Sequence, residues 1–117
     1  MKVLSIFLLG SGTDICSLFG SHNIALPVYA GEIQCIALGM SIQSWSEEGI
    51  RVPTGQPGDL VCTKPFVCMP VYFWGDQSGE RYRSSYFDKF EGVWAHGDYC
   101  ELCFHSRVLS FDSILRE

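Results

Sequence analysis

Two short stretches carry residues that could do chemistry. The first is Gly10-Ser11-Gly12-Thr13-Asp14. Two glycines leave backbone N–H groups open, Thr13 adds a hydroxyl and Asp14 adds a carboxylate. Such a set can hold phosphate oxygens and, through Asp14, a hard cation such as Mg²⁺. No Lys follows, so it is not a Walker loop, and read alone it is a polar turn after a strand. The second stretch is Val93-Trp94-Ala95-His96-Gly97-Asp98-Tyr99-Cys100. The glycine lets another molecule come close to the backbone. The Asp98 carboxylate can accept two hydrogen bonds, which suits the vicinal hydroxyls of a ribose. Gly97-Asp98 is also ordinary turn chemistry between two strands. A phosphate-and-metal loop together with a ribose-binding Asp would describe a nucleotide site.

The elements that must position these groups read as α+β and β-rich. Val3 to Leu9 has the apolar run of a buried strand, ended by Gly10-Ser11-Gly12. Gly10 to Ile15 reads as a polar loop, and Cys16 to Asn23 as a turn of helix followed by loop. Gly31 to Ile36 has strand texture. Met40 to Trp45 alternates apolar and polar side chains, the pattern of a half-buried strand, and Ile50-Arg51-Val52 returns as its hairpin partner. Asp59 to Thr63 is another strand, leading into an apolar loop with Pro65 and Pro70. Glu80 to Phe90 is the one clear helix. Tyr82, Tyr86, Phe87 and Phe90 share a face there, Asp76 or Ser78 can cap its start, and Gly92 suits its end. Val93 to Cys100 is the last strand before a tail in which Val108, Leu109, Phe111, Ile114 and Leu115 could form a short amphipathic helix.

Composition narrows the function. The chain has 117 residues, 47% hydrophobic and 18% charged, enough for one globular unit. A net charge of −5 with scattered Lys and Arg offers no basic surface to nucleic acid or to anionic lipid. The apolar run near Met1 is far too short to span a bilayer, and a buried strand explains it better than a secretory signal. The 6 cysteines are irregularly spaced, and Cys35 and Cys62 sit inside strand-like runs. They read as the reduced thiols of a cytoplasmic protein rather than as a disulfide framework.

Several motifs, in order, are similar to one family. They are Ser11-Gly12-Thr13-Asp14-Ile15-Cys16, Leu26-Pro27-Val28-Tyr29-Ala30-Gly31-Glu32-Ile33-Gln34, Gly58-Asp59-Leu60-Val61-Cys62-Thr63-Lys64-Pro65, Tyr82-Arg83 through Tyr86-Phe87, and Trp94-Ala95-His96-Gly97-Asp98-Tyr99-Cys100. Together they resemble the acetoacetyl-CoA synthetase (acetoacetate–CoA ligase) family of adenylate-forming acyl-CoA synthetases. The resemblance runs from about Gly10 to Cys100. It implies a fragment of the large N-terminal, AMP-binding domain over residues 1–100, followed by a divergent tail at 101–117. It also implies an acid–thiol ligase chemistry. Acetoacetate attacks the α-phosphate of ATP to give an acyl-adenylate and pyrophosphate, and the CoA thiol then displaces AMP. By the same resemblance Gly12, Thr13, Asp14 and Asp98 are nucleotide-binding, Asp14 is an Mg²⁺ ligand and Asp98 is the ribose anchor. Gly10 and Ser11 stand where acetyl-CoA synthetases carry bulky aromatics, so they imply an acyl pocket roomy enough for acetoacetate. Many relatives carry Glu where this chain has Asp14, so a metal would have to come closer or be met through water.

The departures from the family bear on activity. Its Gly- and Ser/Thr-rich phosphate loop, its adenine-contacting segment, its hinge motif and the C-terminal domain with the catalytic Lys do not occur among these 117 residues. Most charge stabilisation of the transferring phosphoryl group is therefore missing, and the expectation is a fragment inactive alone, with no catalytic residue of its own. Three other readings compete. One is a non-catalytic nucleotide- or partner-binding remnant. Another is a secreted cysteine-rich protein. The last is a metal site at Cys100, Cys103 and His105, which falls short of a full zinc set.

Overall fold

The computed structural model describes residues 10–103 and 109–111. The strand expected over Val3–Leu9 and most of the tail lie outside those residues. Two antiparallel sheets are present. The first has three strands in the order β1-β2-β3: β1 (Gly10–Gly12), β2 (Ser17–Ser21) and β3 (Cys35–Ile36). The second has four, in the order β4-β5-β6-β7: β4 (Ile42–Trp45), β5 (Pro57–Cys62), β6 (Trp94–Leu102) and β7 (Leu109–Phe111). The single helix among the described residues, α1 (Glu80–Tyr86), lies between β5 and β6 in the chain.

The second sheet follows the side-chain alternation of its strands. Leu60 and Cys62 face one core with Ile15, Phe19, Ile42, Phe66, Trp94 and Cys100, while Val61 faces a smaller cluster with Phe90 and Ala95 on the other side. The expected hairpin after β4 is reduced to one bridge, Trp45 to Arg51, because β4 pairs mainly with β5. Gly58 is required at the crowded β4–β5 edge. A Cβ there would sit 2.5 Å from the Trp45 carbonyl oxygen and 2.6 Å from Ser44 Oγ.

The first sheet corrects the expectation for residues 10–23. Gly10–Gly12 is strand rather than loop, and Ser17–Ser21 is strand rather than a turn of helix. Residues 13–16 form the tight connection between them. The Cys16 N–H donates to the Thr13 carbonyl at 3.1 Å, and Cys16 takes a positive φ of 49°. One left-handed residue at that point reverses the chain directly into β2, and this buries Ile15 and Phe19. The strand expected over Gly31–Ile36 shortens to its last two residues. Gln34, only 6% exposed, uses its amide instead to tie the preceding loop, donating to the carbonyls of Asn23, Leu26 and Pro27 and accepting from the Asn23 N–H.

The helix is shorter than its aromatic stripe. It stops at Tyr86, with Phe87 closing the last turn through a 2.8 Å bond to the Arg83 carbonyl. Phe90 leaves the helical face and packs edge-on against Trp45 at 5.3 Å. The N-cap position itself is Gly79, with φ 71°. Both residues expected as caps still serve the open N–H groups: Asp76 Oδ2 accepts from Tyr82 N at 2.9 Å and Ser78 Oγ from Glu80 N at 3.4 Å. In the tail, Leu109–Phe111 pairs as a strand with Cys100–Leu102, so a helix over 108–115 is not what forms at those three residues.

Candidate functional site

Strand β6 runs straight through the stretch that turn chemistry would have broken. Asp59 pairs with Tyr99 and Val61 with Ala95, so Leu60 alone stands opposite His96, Gly97 and Asp98. The two surplus residues form a bulge, and Gly97 supplies the positive φ of 91° that it needs. Gly97-Asp98 is thus no hairpin turn. The flanking β6 residues Trp94, Ala95 and Cys100 are buried and hold the strand in the sheet on both sides of the bulge. The bulge re-aims His96 and Asp98 away from the ladder, and His96 Nε2 comes to 3.7 Å from Asp98 Oδ2.

The turn after β1 meets this bulge. A Cβ on Gly12 would lie 2.9 Å from His96 Cε1 and 3.2 Å from His96 Nε2, so the imidazole rests on the bare Gly12 backbone. Thr13 and Asp14 are exposed beside it. Tyr86, the last residue of α1, donates its hydroxyl hydrogen to Asp14 Oδ2. That leaves Oδ1 of the carboxylate for another partner. Gly10 and Ser11 lie on β1, paired with Gly20 and Leu18. The fold therefore gathers Gly12, Asp14 and Asp98 around one imidazole, although Gly12 and His96 belong to different sheets.

Aromatic stacking fixes the geometry. The Tyr86 ring lies on Trp94 at 3.7 Å and 13° between planes, and Phe19 meets His96 edge-on at 4.8 Å. The Trp94 Nε1–H donates to His96 Nδ1 at 3.4 Å. Burial lowers the His96 pKa, and the charges of Asp98 and Asp14 oppose that shift without cancelling it, which favours the neutral ring. The Tyr86 phenol is pushed above its ordinary value of 10.0, first by burial and then by the Asp14 carboxylate beside it.

Among the described residues the cysteines form neither a disulfide nor a metal cluster. All six thiols are unpaired. Cys100 is fully buried and its thiol is pushed up to about 12, chiefly by burial. His105 lies outside the described residues, and no group of three or more potential metal-ligating side chains occurs among those described. Sequence reasoning missed two participants. Tyr86 reads along the chain as part of the helix's packing stripe and of one family motif, with no ligand-site role. Lys89, which forms a 2.6 Å ion pair with the buried Asp59, was not singled out at all. Neither has a signal in local spacing, because each partner is far away along the chain.

No family model matches the chain. Individual proteins do. Acetoacetyl-CoA synthetase of Macaca fascicularis is 55% identical over 103 residues, which make up 86% of this chain and 15% of that protein. The structure of acetoacetyl-CoA synthetase from Streptomyces lividans superposes with a TM-score of 0.79 at 44% identity, again over 86% of this chain and 15% of the other. This chain is homologous to one segment of acetoacetyl-CoA synthetase. It spans about 15% of the length of the curated relatives it matches. The fold is that of a part of the adenylate-forming enzymes. MatB from Rhodopseudomonas palustris shares it with a TM-score of 0.70 at 16% identity, over 88% of this chain and 19% of its own. No helix among the described residues is long and apolar enough to cross a membrane.

Proposed function

We propose that this chain is the adenylate-binding segment of an acetoacetate–CoA ligase and does not make acetoacetyl-CoA alone. The observation that carries the reading is the meeting of the Gly12–Asp14 turn with the β6 bulge, in a chain homologous to that ligase. Gly12 and Thr13 offer a backbone N–H and a hydroxyl to phosphate oxygens. Asp98, on its bulge, accepts the ribose hydroxyls. Gly10 and Ser11, small residue types at the acyl end of the family's site, would admit acetoacetate. In the whole enzyme the adenylate would form from ATP and acetoacetate and would pass to CoA. Residues 1–100 belong to the AMP-binding domain in this reading. The remainder, 101–117, is a divergent tail, although β6 itself continues through Leu102.

The donor set fits Mg²⁺ shared with a nucleotide rather than held by protein alone. It offers one carboxylate oxygen of Asp14 and the Thr13 hydroxyl, hard oxygen donors that would leave most positions to phosphate and water. A metal bound there would neutralise charge on the transferring phosphoryl group. The cellular setting follows from the same reading: a cytoplasmic enzyme of ketone-body use and lipid metabolism, working on small molecules, with no nucleic acid or membrane partner suggested by a net charge of −5.

Two measurements test this. Acetoacetate-dependent ATP–pyrophosphate exchange by the purified chain should be absent, and clear turnover would refute the claim of inactivity. ATP with Mg²⁺ should raise the thermal midpoint, and Asp98→Ala should abolish the shift. A chain that shows no shift at all is not a nucleotide-binding segment in isolation.

A further inference from the structure

His96 is used by nothing in the reading above, yet three other elements pack against it. Its ring rests on Gly12 of β1, is edged by Phe19 of β2 and lies parallel to Tyr86 of α1. Its two nitrogens have different neighbours. Nδ1 receives the Trp94 indole N–H at 3.4 Å, and Nε2 faces Asp98 Oδ2 at 3.7 Å. An indole nitrogen is a donor only, so the nitrogen it meets must be the unprotonated one. The proton of the neutral ring therefore sits on Nε2, directed at the carboxylate. At 3.7 Å this is an electrostatic contact just longer than a hydrogen bond, and a small rotation of Asp98 would complete it.

We propose that His96 is a positioning residue for Asp98, with Trp94 fixing its tautomer and Gly12 leaving room for its ring; this rests on the reading of Asp98 as ribose anchor. Nε2–H holds Oδ2 and so orients the carboxylate plane, presenting its free lone pairs to a vicinal diol. The neutral ring does this without adding a charge that would compete for Asp98. The bare Gly12 backbone is part of the device, since a Cβ there would clash with Cε1 at 2.9 Å and crowd Nε2 at 3.2 Å. The charged and titratable groups facing the ring are Asp98 on β6, Asp14 on the turn after β1 and Tyr86 on α1. His96 itself abstracts no proton in this role.

Long-range ¹H–¹⁵N spectra of the labelled chain read the tautomer directly. The expected result is a protonated Nε2 and a bare Nδ1. A proton on Nδ1 would overturn the proposal, whether or not the chain binds nucleotide. The second arm compares ATP with 2′-deoxy-ATP in thermal-shift titrations. Wild type should prefer ATP by roughly tenfold, the value of one hydrogen bond to a charged group. His96→Phe should bring that ratio close to one, and His96→Gln, which keeps a donor near the Nε2 position, should restore most of it. If His96→Phe does not fold, His96→Asn replaces it, because its shorter amide cannot reach Asp98. An unchanged ratio in the Phe or Asn variant would refute the positioning role. Wild-type chain that binds neither nucleotide defeats the ribose-anchor reading and the diol role of His96 with it, while the spectra still decide the tautomer.

Discussion

The Tyr86 hydroxyl donates to the Asp14 carboxylate across 72 positions of sequence, joining the end of the only described helix to the turn after the first strand. This bond links the exposed candidate phosphate turn to the end of the helix. It also ties that turn to the core, because the Tyr86 ring is stacked on Trp94 at 3.7 Å. Tyr86→Phe keeps the stack and removes only the hydroxyl. The expected loss is about 0.5–1.5 kcal/mol, at the low end because the bond is solvent-exposed. Urea unfolding of the variant beside wild type measures it. In a spectrophotometric titration at alkaline pH, the Tyr86 phenol should ionise later in wild type than in Asp14→Asn, since the carboxylate is one cause of its raised pKa.

His96 makes stability depend on pH in a predictable direction. Its folded pKa lies below the ordinary 6.5, first because the ring is buried. Below 6.5 the unfolded chain takes up a proton that the folded chain resists, so stability is fully present above that value and falls as pH drops through the folded pKa. His96→Gln cannot titrate and should lose less stability over the same acid range. Denaturant midpoints measured across pH for both proteins check this. Parallel curves would mean that the ring is accessible enough to protonate freely.

Gly97 is the residue on which the bulge depends. With φ at 91° and open space around its missing Cβ, the obstacle to a side chain is backbone strain rather than crowding. Gly97→Ala should destabilise the chain by about 1–2 kcal/mol. The larger consequence is local. A β6 strand that relaxes toward regular pairing turns Asp98 back into the ladder, so the ATP-dependent thermal shift should shrink more than the stability does. Gly92→Ala is the control, because it too has a positive φ and open space but lies outside the site.

Much of this arrangement was legible in the sequence, and what was not has physical reasons. The alternation of Ile42–Trp45, the apolar run of Leu60–Cys62 and the aromatic spacing of the helix each reflect a single local period, and each element forms. The bulge was hidden because Gly97-Asp98 carries the same chemistry in a turn and in a widened strand. Only the pairing of β6 with β5 distinguishes them. Strands β1 and β2 were hidden because Cys16, a residue that seldom takes a positive φ, makes the reversal that glycine usually signals. The pairing of Asp14 with Asp98 in one nucleotide site follows from their chemistry and is strengthened by the family resemblance, but no local pattern shows how they meet. The rings that bring them together, Tyr86, Trp94 and His96, read along the chain as ordinary core.

The buried carboxylate of Asp59 makes the last prediction. Asp59 is 5% exposed in the middle of the second sheet, and its Oδ2 lies 2.6 Å from Lys89 Nζ in the turn after α1. The Asp59 carboxylate beside it is the main reason the ammonium of Lys89 has a raised pKa. Lys89→Met would leave that carboxylate without its counter-charge. Removing one partner of a buried pair costs about 3–5 kcal/mol, but this ammonium is 43% exposed and water would offset part of the loss, so about 1–3 kcal/mol is expected. Asp59→Asn combined with Lys89→Met should recover much of that loss, because neither charge then remains. Equilibrium unfolding of both variants separates the cases. If the double variant is no better than Lys89→Met, the lysine acts mainly through its aliphatic stem and its 5.7 Å contact with the Phe90 ring. If it recovers, the loss in Lys89→Met is the cost of leaving the buried Asp59 carboxylate without its counter-charge, and the turn that follows Tyr86 holds to the sheet without the ion pair.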